Sequence, residues 1–76
     1  MADDVGRVQE IICRLGKLPA INPDEDFYAA GFSSVTALEL LMELESAFEV
    51  TIPDDAFIAA RTATDLANLV VRLKQG

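Results

Sequence analysis

Residues 33–49 read SSVTALELLMELESAFE, and this stretch decides the fold. Val35, Leu38, Leu41, Met42, Glu45 and Phe48 recur at helical spacing, and Leu40 and Leu44 widen the apolar side. A residue returns to the same helix face about every 3.6 positions, so the pattern predicts a helix from about Ser34 to Glu49 with Met42 in the core or lining a cavity. Ser33 is placed to cap it, because a serine hydroxyl can accept a bond from a first-turn amide that lacks a partner in its own helix. Val50-Thr51-Ile52-Pro53 ends it: branched side chains weaken the helix, and proline pushes the residue before it into extended backbone.

Upstream, Val5, Val8, Ile12 and Leu15, with Ile11 beside them, form the stripe of a first helix. Asp3 and Asp4 near its start and Arg14 and Lys17 near its end suit the helix dipole, and Gly16 could supply a left-handed cap. Residues 16–32 hold no period; Pro19, Pro23 and the run Asp24-Glu25-Asp26 mark a long loop. Loops of this length inside small domains either hide an element or serve a purpose. Leu18, Ile21, Phe27, Tyr28 and Phe32 are too apolar for a free linker and are expected to pin it across the helices. Downstream, residues 54–60 suit a short helix with Asp54 and Asp55 in its first turn. Thr62 and Asp65 resemble a capping box, and Leu66, Leu69, Val70 and Leu73 then give the stripe of a last helix ending near Lys74. With no strand-like alternation and no repeat, the expectation is one domain, 1–76: an all-α, small antiparallel four-helix bundle with three longer helices and one short one.

Composition narrows the function. A chain of 76 residues, 51% apolar and 25% charged, folds but has little room for a deep catalytic pocket. Its net charge of -7 repels phosphate backbones and anionic lipid surfaces, so nucleic acid is a poor partner. With no His and one Cys, imidazole bases, zinc clusters and an internal disulfide drop out. A serine hydrolase would have only Lys17 and Lys74 to draw on as base. Asp24-Glu25-Asp26 does not start a calcium loop, because Ala29 and Val35 stand where that loop needs glycine and glutamate. Cys13, one residue off the first stripe, is read as a small packing residue. Met1-Ala2-Asp3-Asp4 lacks an apolar signal core, and no window nears the ~20 apolar residues of a membrane span, so the chain is read as cytoplasmic and not stably inserted in a membrane.

Ser34 stands out by position. It lies where the long loop enters the most strongly patterned helix, and free amides with the positive end of the helix dipole suit a phosphate or phosphodiester there. On periodicity alone the plainer reading is the stronger one, in which Ser33 and Ser34 only cap the helix.

The string from Asp24 to Val35, DEDFYAAGFSSV, resembles the attachment segment of acyl and peptidyl carrier proteins. That family's pattern runs acidic residue, aromatic or aliphatic residue, three positions, Gly, one residue, Asp or His, the modified Ser and usually Leu. Phe27 then matches the aromatic place, Gly31 the glycine, Ser34 the modified serine and Val35 the leucine. Ser33 stands where the family has Asp or His, and Ala30 and Phe32 are unusual flanks of the glycine. Ile52-Pro53-Asp54-Asp55 is similar to the family's segment between its second and third helices, and Phe48 to its closing aromatic. The resemblance covers nearly the whole chain. It implies 4′-phosphopantetheine, taken from coenzyme A and held on Ser34 with Ser33 and Gly31 shaping the site, and an acyl group borne as a thioester on the arm's thiol. It implies a carrier, not an enzyme, serving fatty acid, polyketide or related biosynthesis as a monomer. Its partners would be a phosphopantetheinyl transferase and acyl-transferring or acyl-modifying enzymes with basic docking patches.

Charge fits such partners. Between Lys17 and Arg61 there is no basic residue, whereas the second helix carries Glu39, Glu43, Glu45 and Glu49. These are i,i+4 like-charge pairs that weaken the helix slightly, yet a one-sign field steers basic partners. Val35, Glu39, Met42 and Glu45 are the expected partner-binding residues, with a plain solvated face as the bland alternative for each Glu. Leu38, Met42, Phe57, Ile58 and Leu66 are expected to shelter an apolar chain. A different class, an acidic helical module that binds a basic partner with Ser34 unmodified, accounts for charge and helices but leaves the loop and Gly31 without a reason.

Overall fold

The structure is a computed structural model that describes residues 3–75; Met1, Ala2 and Gly76 and the side chain of Asp3 fall outside it, and so does the expectation attached to the chain's first residues. Four helices follow in order: α1, Asp3–Gly16; α2, Ser34–Phe48; α3, Asp54–Ala59; and α4, Ala63–Gln75. Among the described residues there is no strand, and the architecture is the expected small four-helix bundle in which α1 packs on both α2 and α4.

One apolar core holds it together. Val8, Ile12, Phe27, Leu40, Leu44, Leu66 and Val70 are fully enclosed, with no polar side chain buried among them. Burying a side chain of this size contributes roughly 1.5–3 kcal/mol, so these residues carry most of the stability. α4 begins as its capping signal indicates, with the Asp65 amide donating to Thr62 Oγ1 at 3.1 Å.

Two expectations for α1 and α2 are corrected. Gly16 is not the left-handed cap; it is the last residue of α1, and Lys17 takes the left-handed backbone at φ 55°. The amide of Leu18 then donates to the Cys13 carbonyl at 2.9 Å, closing the helix. Gly16 is needed for space instead: a Cβ there would sit 2.5 Å from Cε1 of Phe32. Glu49 ends α2 the same way at φ 56°, with the amides of Glu49 and Val50 both donating to the Glu45 carbonyl.

The second correction concerns which side of α2 is inside. Ala37, Leu40, Leu44 and Phe48 are its buried residues. Val35, Leu38 and Met42 are 57–71% exposed, so Met42 is not a core residue. Leu41 lies partly buried against the core, and Glu45 is half-buried. Leu40 and Leu44 thus form the centre of the inner face rather than its margin.

The loop hides an element. Asp26 Oδ1 accepts from the amides of Tyr28 at 2.9 Å and Ala29 at 3.4 Å. The Phe27 carbonyl accepts from Ala30 at 3.1 Å and Phe32 at 3.2 Å, so residues 26–31 make a single capped turn. Ile21, Phe27 and Phe32 are buried by it, and Leu18 and Tyr28 pack against the core, as their apolar character demands. Cys13 likewise packs partly buried against the core.

Candidate functional site

The turn at residues 26–31 delivers the chain to the start of α2. Gly31 leaves it at φ 123°, a backbone state that other residues rarely adopt, although a side chain there would meet nothing within 4 Å. Glycine is therefore required by conformation rather than by space. The next two residues divide the work: Phe32 enters the core, while Ser33, in extended backbone, turns its hydroxyl onto the helix. Ser33 Oγ accepts from the Thr36 amide at 3.2 Å and lies 3.1 Å from Thr36 Oγ1.

With capping done by Ser33, Ser34 is the exposed first residue of α2. First-turn amides have no carbonyl of their own helix to bond, and α2 has no acidic residue in that turn. An anion there meets the positive end of the helix dipole without repulsion from its own turn.

Beside Ser34 runs an open apolar groove of about 310 Å³, walled by Tyr28 from the loop, Ala37, Leu38 and Leu41 from α2, and Phe57 and Ile58 from α3. Asp54 is its acidic edge. Ile58 is 64% exposed, and with Val35 and Leu38 it makes the molecule's outer surface apolar around the serine. A larger depression, about 610 Å³, lies at the far end of α2 around Phe48, Val50 and Leu73, away from Ser34.

The expected residues are not all brought together. Leu38, Phe57 and Ile58 meet in the groove. Met42 instead edges a shallow depression with Leu15, Glu39 and Glu43, and Leu66 is sealed in the core. Glu39 is exposed. Glu43 pairs with Arg14 at 2.9 Å across α1 and α2. The Glu45 carboxylate accepts from the Ile52 amide at 2.9 Å, which ties the α2–α3 link to α2.

Sequence reasoning missed Asp26, Tyr28 and Arg61 as a unit. Arg61 Nε donates to Asp26 Oδ2 at 2.8 Å, and its guanidinium lies over the Tyr28 ring at 4.6 Å. Its carbonyl accepts from the Phe27 amide at 3.1 Å. The bond from the Arg61 guanidinium holds the Asp26 carboxyl below its ordinary value; desolvation opposes it, and the amides of Tyr28 and Ala29 add to the lowering. A signal existed: Arg61 is the one basic residue between Lys17 and Arg72.

An exposed hydroxyl at a helix start lies beside an apolar trough, and comparison with known proteins makes the class a carrier. The family model described as "Phosphopantetheine attachment site" matches residues 6–70. The chain is 30% identical to the aminoacyl carrier protein of Agrobacterium fabrum (strain C58 / ATCC 33970), over 90% of this chain and 93% of that one. It is 37% identical to a segment of the clavatol synthase claF of Penicillium crustosum, over 90% of this chain and 3% of the synthase. The chain belongs to the phosphopantetheine attachment family, the acyl and peptidyl carrier proteins. In acyl carrier proteins this domain is the site at which 4′-phosphopantetheine is attached covalently.

Proposed function

We propose that this chain, as one carrier unit, holds 4′-phosphopantetheine on Ser34 and presents an acyl or aminoacyl group to enzymes of a biosynthetic pathway in the cytoplasm. The observation that carries the reading is the exposed position of Ser34 on the first turn of α2, with Ser33 doing the capping beside it. Attachment forms a bond between Ser34 Oγ and the phosphorus of the pantetheine side of coenzyme A. The diphosphate bond breaks, adenosine 3′,5′-bisphosphate leaves, and the hydroxyl proton goes to a base of the transferase.

When bound, the group supplies a flexible arm with a terminal thiol that carries cargo as a thioester. The chain's own residues do the rest. The first-turn amides of α2 stabilise the phosphodiester. Asp54, across the groove, disfavours a phosphate lying inward and turns the head of the arm toward solvent. Val35, Leu38, Met42 and Ile58 offer apolar contact to a docking enzyme, and Glu39 supplies charge beside them. A tether raises the local concentration of cargo at each docked enzyme, so brief contacts suffice, and the domain itself catalyses nothing.

The test is intact mass after incubation with coenzyme A and a broad-specificity phosphopantetheinyl transferase. One phosphopantetheine is expected on the parent and none on Ser34→Ala. Ser33→Asp, which restores the family's acid while keeping a cap, is expected to load faster. A parent chain that no transferase loads would overturn the reading and leave the acidic interaction module in its place.

A further inference from the structure

The ion pair between Arg61 and Asp26 is exposed on both sides, and exposed pairs hold little stability. Its place is more informative than its strength. Arg61 lies just after α3, whose Phe57 and Ile58 line the groove at Ser34; Asp26 caps the turn whose Tyr28 lines the same groove from the loop. The guanidinium bonds the carboxylate at 2.8 Å and covers the Tyr28 ring at 4.6 Å. The same ring meets Phe27, a fully buried residue, with centroids 4.8 Å apart. Tyr28 thus touches both the core and a cation carried by the link that follows α3.

We propose that Arg61 is a positioning residue for the Ser34 site: by gripping Asp26 and Tyr28 together it sets the distance between the loop wall and the α3 wall of the groove that receives the apolar part of the tethered cargo. The occupant is the arm's own acyl chain. Ser34 lines the same groove, so a chain attached there reaches these side chains at a high local concentration without a second binding event. The inference rests on attachment at Ser34, and the clamp itself can be read without it.

Tyr28 is the chain's one tyrosine and there is no tryptophan, so near-ultraviolet circular dichroism in the tyrosine band reports this ring alone. In the unmodified protein, Arg61→Gln is expected to change that band and the Tyr28 ring resonances while the far-ultraviolet spectrum stays as in the parent. Asp26→Asn, which keeps an oxygen for the Tyr28 and Ala29 amides, is expected to do the same in part. After loading with an octanoyl thioester, Arg61→Gln is expected to lose acyl-dependent shifts at Leu38 and Ile58 and to hydrolyse roughly two- to five-fold faster, the scale of one exposed cation–ring and ion-pair contact. An acetyl thioester, too short to lie in the groove, should hydrolyse alike in both, and Arg61→Lys should return part of the octanoyl protection. A Tyr28 spectrum unchanged in Arg61→Gln, or octanoyl shifts and hydrolysis equal to the parent's, would overturn the proposal. Failure to load Ser34 would instead overturn the function proposed above, with the Tyr28 measurement still deciding the clamp.

Discussion

Both faces of α2 carry apolar residues at helical spacing, and those residues meet opposite fates. On the inner face Ala37, Leu40, Leu44 and Phe48 are buried. On the outer face Val35, Leu38 and Met42 are mostly exposed, although they recur at the same helical spacing. A helix that is apolar on two sides carries more apolar surface than its own bundle can cover. Exposed apolar patches of this kind mark places that something else covers, and here Leu38 shares the groove beside Ser34 with Ile58 of α3. The difference teaches that spacing identifies a helix but not its inside.

The largest expected effect tests that contrast directly. Leu44→Ala should destabilise the fold by about 2–5 kcal/mol, because it empties a fully enclosed position, whereas Met42→Ala should stay within about 0.5 kcal/mol. Urea unfolding of the two variants checks this, and equal losses would erase the distinction between the faces. The neighbouring serines sharpen it at smaller scale. Ser33→Ala should lower stability by about 1 kcal/mol through loss of the bond to the Thr36 amide. Ser34→Ala, which removes no cap, should change stability by less than about 0.5 kcal/mol while abolishing loading. If the serines exchanged these effects, the division of labour at the start of α2 would be wrong.

The smallest effect concerns pH. Asp26 has a lowered carboxyl pKa in the folded chain, chiefly from its bond to Arg61, so it binds its proton less readily folded than unfolded. Its contribution to stability is present above the ordinary carboxylate value and disappears as pH falls through that value and on past the folded one. Thermal unfolding of the parent and Arg61→Gln should therefore differ slightly near neutrality and converge in acid. A gap that widened on acidification would contradict the assignment.

Much of this was legible from residue order alone. The four helices, the Ser33 cap and the loop's anchoring aromatics follow from spacing and residue type, because each is decided within a few positions of itself. The inside of α2 was not, since Val35, Leu38 and Met42 satisfy the helical period as well as the buried set does. Glu45 within the expected stripe was the available warning: a carboxylate is a poor core residue, and in the structure it serves the Ile52 amide instead. Gly16 was misread because its reason is a distant one, the ring of Phe32. The Arg61 clamp joins residues 35 positions apart, beyond the reach of any local pattern.

The left-handed corners at Lys17 and Glu49 leave room for improvement. Both are occupied by residues with a Cβ, which that backbone disfavours on the order of 1 kcal/mol, and the helix-end bonds from the Leu18 amide to Cys13 and from the Glu49 and Val50 amides to Glu45 keep them bent. Neither lines the groove beside Ser34. Glycine at these corners offers a route to a more heat-tolerant scaffold that leaves the cargo-handling surface as it is.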